Sequence, residues 1–368
     1  MNAATRDDGI DALRGLSILL VLLHHFNIAY PLRDTALGGP PGWPLLQAVA
    51  RNGNYAVTIF FVISGFLITR NALERWGRLG AIRPASFWLL RLARIVPTLV
   101  LTLLLVDALA LAGLPLFGNR ADSAVSLWTV NAAALGAWMN ALVIREGWIN
   151  YPLGVMWSLS VEMAFYLLFP LACVLLRRAW LLLALAMLLI AAGPLYRLAN
   201  QGAGEAWLYG YAACFDAIAI GCCAAALARR RAWPALRRPG PRARGDRHGR
   251  ALRGMADQPE QCPWRQRHRR GNGPAAARRA GGQPSAPGPA RRLLMHCGRD
   301  CYEIYLLHLL VLGLLRTALP PAQLAGDARL ALLPGYFIGS CLLGIWVARV
   351  YSTPLNRWLR TWGNRTGR

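Results

Sequence analysis

The sequence predicts an all-α protein, a polytopic transmembrane helical bundle with about eight recognisable spans. Three observations predict it. Apolar residues make up 55% of the chain and charged ones only 16%, at a mean hydropathy of +0.33. The apolar residues gather in runs close to the roughly 20 residues that a bilayer core about 30 Å thick requires, too many runs for one soluble core. Short Arg-bearing connections separate them, the pattern that orients a chain in a membrane.

The first run, 10–30, follows Arg6, Asp7 and Asp8 and not a basic leader with a small-residue cleavage site, so it is expected to stay on the protein. The others lie at 55–71, 89–113, 158–176, 179–199, 207–228, 299–318 and 331–350, each with short polar or Gly/Pro flanks. Arg70, Arg75, Arg78 and Arg83 assign the connection after the second run to the cytoplasmic side. The N-terminus, the Arg177–Arg178 turn, the run Arg229–Arg231 and the tail with Arg357, Arg360, Arg365 and Arg368 then fall on that side too. For Arg177 to do so, 114–157 must start and finish outside. The moderately apolar stretch 124–144 is therefore expected to be re-entrant or interfacial, with a true crossing as the alternative.

Three parts follow: 1–228 and 293–368 as membrane core, the latter with a basic tail, and 229–292 as an Arg/Pro/Gly-rich segment. The net charge of +24 is concentrated in that segment, where 18 Arg face only Asp246, Asp257 and Glu260 and leave +15. All 41 basic residues are Arg, as GC-rich coding favours. Parity requires zero or two crossings in the segment, yet its composition cannot span a bilayer. Two readings stay open: a disordered cytoplasmic loop, or a frame-shifted stretch replacing two helices, which the coding DNA would reveal. Its only aromatics are Trp233 and Trp264, too few for a single-strand stacking platform, so no nucleic-acid partner is expected. The eight cysteines, most of them in apolar runs, lack metal-ligand spacing, and no metal is expected.

Several ionisable residues interrupt the apolar runs, where they are costly and usually face a cavity or partner. Arg14 and His25 share a face of the first run, about 16 Å apart, with His24 about 80° away. A satisfied structural histidine is the alternative. Arg91 and Arg94 stand at i and i+3 at the start of the third run, a fork suited to phosphate groups, although the bare motif favours a pair of snorkelling anchors. Glu162 follows Ser158 and Ser160, either of which could cap a helix whose first turn would then hold Glu162. His308 sits in an otherwise apolar helix, where a bond to another helix is the default reading.

Together these pieces resemble acyltransferase family 3, membrane acyltransferases of the O-antigen acetylase type. The matching stretches are Ile10-Asp-Ala-Leu-Arg-Gly-Leu-Ser with His25, Phe60-Phe-Val-Ile-Ser-Gly-Phe-Leu-Ile68, Arg91-Leu-Ala-Arg94, Trp157-Ser-Leu-Ser-Val-Glu162 with Phe165-Tyr166, and Tyr302-Glu-Ile-Tyr-Leu-Leu-His308, in family order. The family pattern would have two further helices in 232–292, for about ten in all. Departures are Met163 and Ala164, where the family commonly continues Glu-Gln, and Cys214, where an Arg often precedes Phe215-Asp216. With no large extracytoplasmic domain, the chain is expected to be the membrane module alone.

The resemblance implies O-acyl transfer, most simply of acetyl, from cytoplasmic acyl-CoA to a hydroxyl of a cell-surface or exported carbohydrate, such as lipopolysaccharide or a lipid-linked glycan. The setting would be the bacterial inner membrane, with both termini cytoplasmic. Acyl-CoA would be a donor substrate, with no permanently bound cofactor. Arg14, Arg91 and Arg94 would meet the CoA phosphates, His25 would take the hydroxyl proton, and Glu162 would orient the acceptor or the histidine. Ser64, Tyr302 and His308 are further candidates, Ser64 as an acyl carrier without a visible base beside it in sequence. A transporter or flippase with an Arg/His/Glu-lined path is the alternative, although no inverted repeat is visible.

Overall fold

The computed structural model describes residues 7–39, 42–51, 53–236 and 288–366. Its helices are α1 (Asp8–Ala29), α2 (Gly42–Ala50), α3 (Gly53–Trp76), α4 (Pro84–Leu111), α5 (Leu127–Leu135), α6 (Met139–Glu146), α7 (Met156–Leu176), α8 (Ala179–Ala199), α9 (Ala206–Tyr209), α10 (Tyr211–Leu236), α11 (Pro289–Arg299), α12 (Cys301–Ala318), α13 (Ala328–Val347) and α14 (Thr353–Thr366). A π-helical turn, Ala348–Ser352, joins the last two. Among the described residues eight helical stretches are long and apolar enough to cross a membrane, one for each predicted run. The chain is a multi-pass membrane protein.

Side-chain contacts show how the helices run. Asp7 before α1 pairs with Arg70 near the end of α3 at 3.7 Å, while His24 late in α1 packs on Gly53 at the start of α3, so the two are antiparallel. Arg229 Nη1 donates to the Leu73 carbonyl at 2.7 Å, which sets α10 parallel to α3. α8 returns against α10 through Arg197 and Asp216, 2.6 Å apart. On α4, Trp88 Nε1 donates to the Tyr166 carbonyl of the opposing α7 at 3.1 Å, and the Ile95 carbonyl accepts from Tyr302 of the parallel α12 at 2.7 Å. α13 comes back along α12, with Gly344 against Ile304 and Gly339 against Val311. Hence α1, α4, α8 and α12 run one way and α3, α7, α10 and α13 the other. The Arg-bearing turns meet at one end, where Gly80 touches the Arg177 backbone and Arg299 lies 3.4 Å from Asp11.

Two crossings are close enough to need glycine. A Cβ on Gly65 would lie 2.1 Å from the Ile218 carbonyl oxygen, and one on Gly221 2.0 Å from that of Val62. Likewise Gly15 would meet Leu294 O at 1.9 Å and Gly298 would meet Asp11 O at 1.8 Å. Such small-residue contacts let membrane helices approach backbone to backbone. α8 lies outside this core and exposes Trp180, Leu183, Met187 and Leu188, as a lipid-facing helix should.

Three expectations are corrected. The 299–318 run is broken at Asp300, because α11 runs antiparallel to α1 before the chain reverses into α12; Arg291 and Arg292 had drawn its start into the basic segment. The membrane helix continues past 228 to Leu236, and the tail is helical through Thr366. Ser158 and Ser160 do not cap α7. It starts at Met156 without a side-chain cap, which moves Glu162 beyond the first turn. Within 124–144 stand α5 and most of α6, helices of 9 and 8 residues, each too short to cross, in keeping with the re-entrant or interfacial stretch expected there. The loop or frame-shift readings fall on 237–287, outside the described residues.

Candidate active site

At the arginine-rich end, α4 presents Arg91 and Arg94 one turn apart, but the two have different surroundings. Arg94 grips Glu303 of α12 with both terminal nitrogens, Nη1–Oε1 at 3.0 Å and Nη2–Oε2 at 3.3 Å. Glu303 is fully buried and also accepts from Ser352 in the π-helical turn. A carboxylate so removed from water needs this pairing, because an isolated buried charge is strongly disfavoured. Arg91 instead lies over aromatic faces, 5.5 Å from the Phe87 centroid and 5.6 Å from that of Tyr166, and makes no ion pair among the described residues. Its guanidinium donors are thus the freer of the two sets. Arg94 also covers the Tyr302 ring at 5.5 Å, and the Tyr302 hydroxyl is taken up by the Ile95 carbonyl. Arg14 of α1 reaches Cys301 at the start of α12, within electrostatic range of Asp11 and Glu162.

Glu162 faces inward from α7. Its Oε1 accepts from Ser64 Oγ of α3 at 2.5 Å and from the Tyr166 hydroxyl one turn on, while Ser64 and Tyr166 stand 3.2 Å apart. A carboxylate that sequence did not place beside Ser64 is therefore present, supplied by a residue 98 positions away. Glu162 is held by these two hydroxyls and makes no hydrogen bond to His25 among the described residues.

Further along α1, His25 meets His308 of α12 with ring centroids 5.1 Å apart, and His24 at 5.2 Å. Among the described residues His308 makes no hydrogen bond to another helix, contrary to its default reading. Nδ1 sits 2.6 Å from the Tyr305 carbonyl of its own helix, so that nitrogen carries the proton and Nε2 is left as a bare acceptor. This Nε2 is buried without a partner. His24 Nδ1 is engaged by the Ala50 carbonyl at 2.9 Å, turning His24 toward α2 and α3 and leaving His25 to face His308. Tyr305 ties the same region to α7 through Ser158 Oγ at 2.7 Å.

The structure thus joins the predicted residues into two stations on parallel α1 and α12. Arg14, Arg91, Arg94, Tyr302, Ser64 and Glu162 belong to the arginine end, His25 and His308 to the interior. Sequence reading missed Glu303, although an acidic residue in an apolar helix was a signal. It also missed Tyr166 as Glu162's partner, which i, i+4 spacing permits. Asp216, two residues after Cys214, pairs instead with Arg197 of α8.

A family model described as an acyltransferase domain, that of acyltransferase family 3, matches residues 7–238 and so ends inside the 229–292 segment. Among curated proteins, one from Staphylococcus aureus strain COL, named provisionally as an O-acetyltransferase, is 30% identical over 169 residues, 44% of this chain and 24% of its own. The peptidoglycan O-acetyltransferase OatA of Listeria monocytogenes is 28% identical over 166 residues, 44% of this chain and 23% of its own. The O-acetyltransferase OatA of Staphylococcus aureus strain NCTC 8325 is 28% identical over 169 residues, with the same 44% and 24%. This chain thus aligns with about a quarter of the curated relatives' length. No solved structure matches. With the family's ordered motifs assembled around two linked stations and its model covering more than half of the sequence, the chain belongs to acyltransferase family 3.

Proposed function

We propose that the protein is a membrane O-acyltransferase that moves an acyl group, acetyl in the simplest case, from acyl-CoA to a hydroxyl of a cell-surface or exported carbohydrate. The single observation that carries this reading is the arrangement of the two stations. Guanidinium groups for a polyanionic donor gather at one end of parallel helices, and a pair of imidazoles stands further along the same helices. In this reading the arginine-rich end faces the cytoplasm of a bacterial cell at the inner membrane, as positive charge at cytoplasmic turns favours. Arg91, Arg14 and the unengaged donors of Arg94 hold the CoA phosphates. The pantetheine arm carries the thioester toward His25.

There the acceptor hydroxyl attacks the thioester carbonyl. His25 takes the hydroxyl proton as the new C–O bond forms, the C–S bond breaks, and the leaving CoA thiolate recovers a proton from the imidazolium. Every atom needed comes from donor, acceptor and His25. His25→Ala is expected to abolish transfer of label from acetyl-CoA to carbohydrate in membrane vesicles while the protein still inserts. Transfer at the wild-type rate would remove His25 from catalysis. A transporter would move solute and leave no ester on the carbohydrate.

A second route is favoured by the Ser64–Glu162 bond at 2.5 Å, a hydroxyl already on a carboxylate base. Acyl transfer would then pass through an ester on Ser64. Its signature is hydroxylamine-sensitive label on the protein before acceptor is added, lost in Ser64→Ala; a protein that never carries label excludes it.

A further inference from the structure

Beyond His308, toward the end of the bundle away from the arginine-rich turns, buried polar atoms with no well-formed hydrogen bond among the described residues collect in one place, the Tyr151 hydroxyl beside Arg316 and that of Tyr336 beside Ser340. They are the Tyr151 hydroxyl, Arg316 Nε, the Tyr336 hydroxyl and Ser340 Oγ, with His308 Nε2 at the inner limit of the row. Three elements supply them: the turn before α7, the last turn of α12, and α13. The Arg316 guanidinium lies over the Tyr151 ring, 4.8 Å from its centroid. Tyr336 stacks on Phe26, the neighbour of His25, with centroids 5.6 Å apart. Tyr336 is 2% exposed and Ser340 not at all.

Structural roles account for little of this. An arginine in the last turn of a helix is favoured by the helix dipole, which explains the charge of Arg316 but not its buried, unbonded Nε. Arg316 makes no ion pair among the described residues, unlike Arg94, Arg197, Arg299 and Arg329. Tyr336 and Ser340 stand one turn apart, yet a bond between them would use one hydroxyl proton and leave the other without an acceptor. Buried polar groups are ordinarily satisfied, and several orphans together mark a place where a polar ligand completes the bonding.

The chemistry of the row specifies that ligand. A guanidinium without a carboxylate calls for an anion. Two phenols and a serine hydroxyl offer donors and acceptors to ring hydroxyls. Arg316 follows His308 by eight residues on α12, about 12 Å, so a molecule held at Arg316 can present a different group to the histidines. We propose that Arg316, Tyr151, Tyr336 and Ser340 form the acceptor subsite, and that it selects an anionic saccharide whose carboxylate or phosphate pairs with Arg316. The hydroxyl to be acylated then lies at His25, while the bare Nε2 of His308 accepts a hydrogen bond from a neighbouring hydroxyl of the sugar. The proposal rests on the acyl-transfer reading for the word acceptor, but the binding it requires does not depend on catalysis.

The test is a set of binding isotherms on the full chain in nanodiscs with three probes: methyl glucuronoside, glucose 1-phosphate and neutral methyl glucoside. At least one anionic probe is expected to bind about tenfold or more tightly than the neutral one, and whichever does so identifies the anion as a sugar carboxylate or a sugar phosphate. Arg316→Gln should erase the preference and Arg316→Lys keep part of it. Tyr336→Phe, which retains the stack on Phe26, should weaken all three probes. His25→Ala should keep the anion preference, so a failed catalytic reading and a failed subsite give different results. Equal binding of charged and neutral probes, or a preference untouched by Arg316→Gln, overturns the proposal. If Arg316→Gln does not fold, wild-type affinities in both Arg316→Lys and Tyr336→Phe overturn it instead.

Discussion

At the scale of residues, the two arginines of the Arg91-Leu-Ala-Arg94 fork do different work. Arg94 neutralises the fully buried Glu303, whereas Arg91 rests on aromatic faces. Removing one partner of a buried pair leaves an uncompensated charge and costs about 3–5 kcal/mol. Arg94→Gln should therefore lower thermal stability sharply, and adding Glu303→Gln should restore much of it; a double variant no more stable than Arg94→Gln would show that the pair is not the cause. Arg91→Gln should leave stability nearly unchanged and raise the KM for acetyl-CoA. An unchanged KM would make Arg91 a membrane anchor. Sequence gave the two residues equal standing because their spacing is all it displays. The partner that separates them, Glu303, comes from a helix 209 positions away.

At the scale of elements, the helices follow from apolar run length, and the eight predicted runs all appear as helices. Their contacts do not follow from it. Gly65 and Gly221 lie 156 residues apart in the sequence and pass within a side chain's width in the structure. Nothing in either run announces the other. Gly65→Val should cost about 1–3 kcal/mol, as overpacking does, and Gly221→Val a similar amount, with the pair less than additive because both open the same crossing. Thermal denaturation in detergent reads both effects; additive costs would place the glycines in separate contacts. The boundary at Asp300 was hidden for a different reason. Basic residues at 291, 292 and 299 made α11 look like loop, while its apolar face meets α1 through Gly298 and Leu294.

For the whole molecule, the Arg-bearing turns converge on one end, which agrees with the alternation expected from charge. Cysteines introduced singly in a background without the eight native ones test the side assignment. Arg78→Cys and Arg178→Cys should both resist an impermeant maleimide in intact cells and react after permeabilisation, while Gln201→Cys should react at once. Reaction of Arg178→Cys in intact cells would require a crossing in 124–144. The family model's match ends at residue 238, beside the Arg/Pro/Gly-rich stretch, so the coding DNA from residue 225 to 300 tests whether a shifted frame there encodes apolar helices.

The sequence by itself determined the membrane class, the helices and the residue types that carry the chemistry. Hydrophobic run length and charge placement are local properties, and ionisable groups in apolar runs are visible one residue at a time. Only the tertiary structure decided which of those residues meet. His308 faces His25, Ser64 rests on Glu162, Arg94 is tied to Glu303, and Arg316 has no carboxylate partner among the described residues. Each of these depends on the rotation and register of helices far apart in the chain, set by close packing against several neighbours at once, and no single run encodes them.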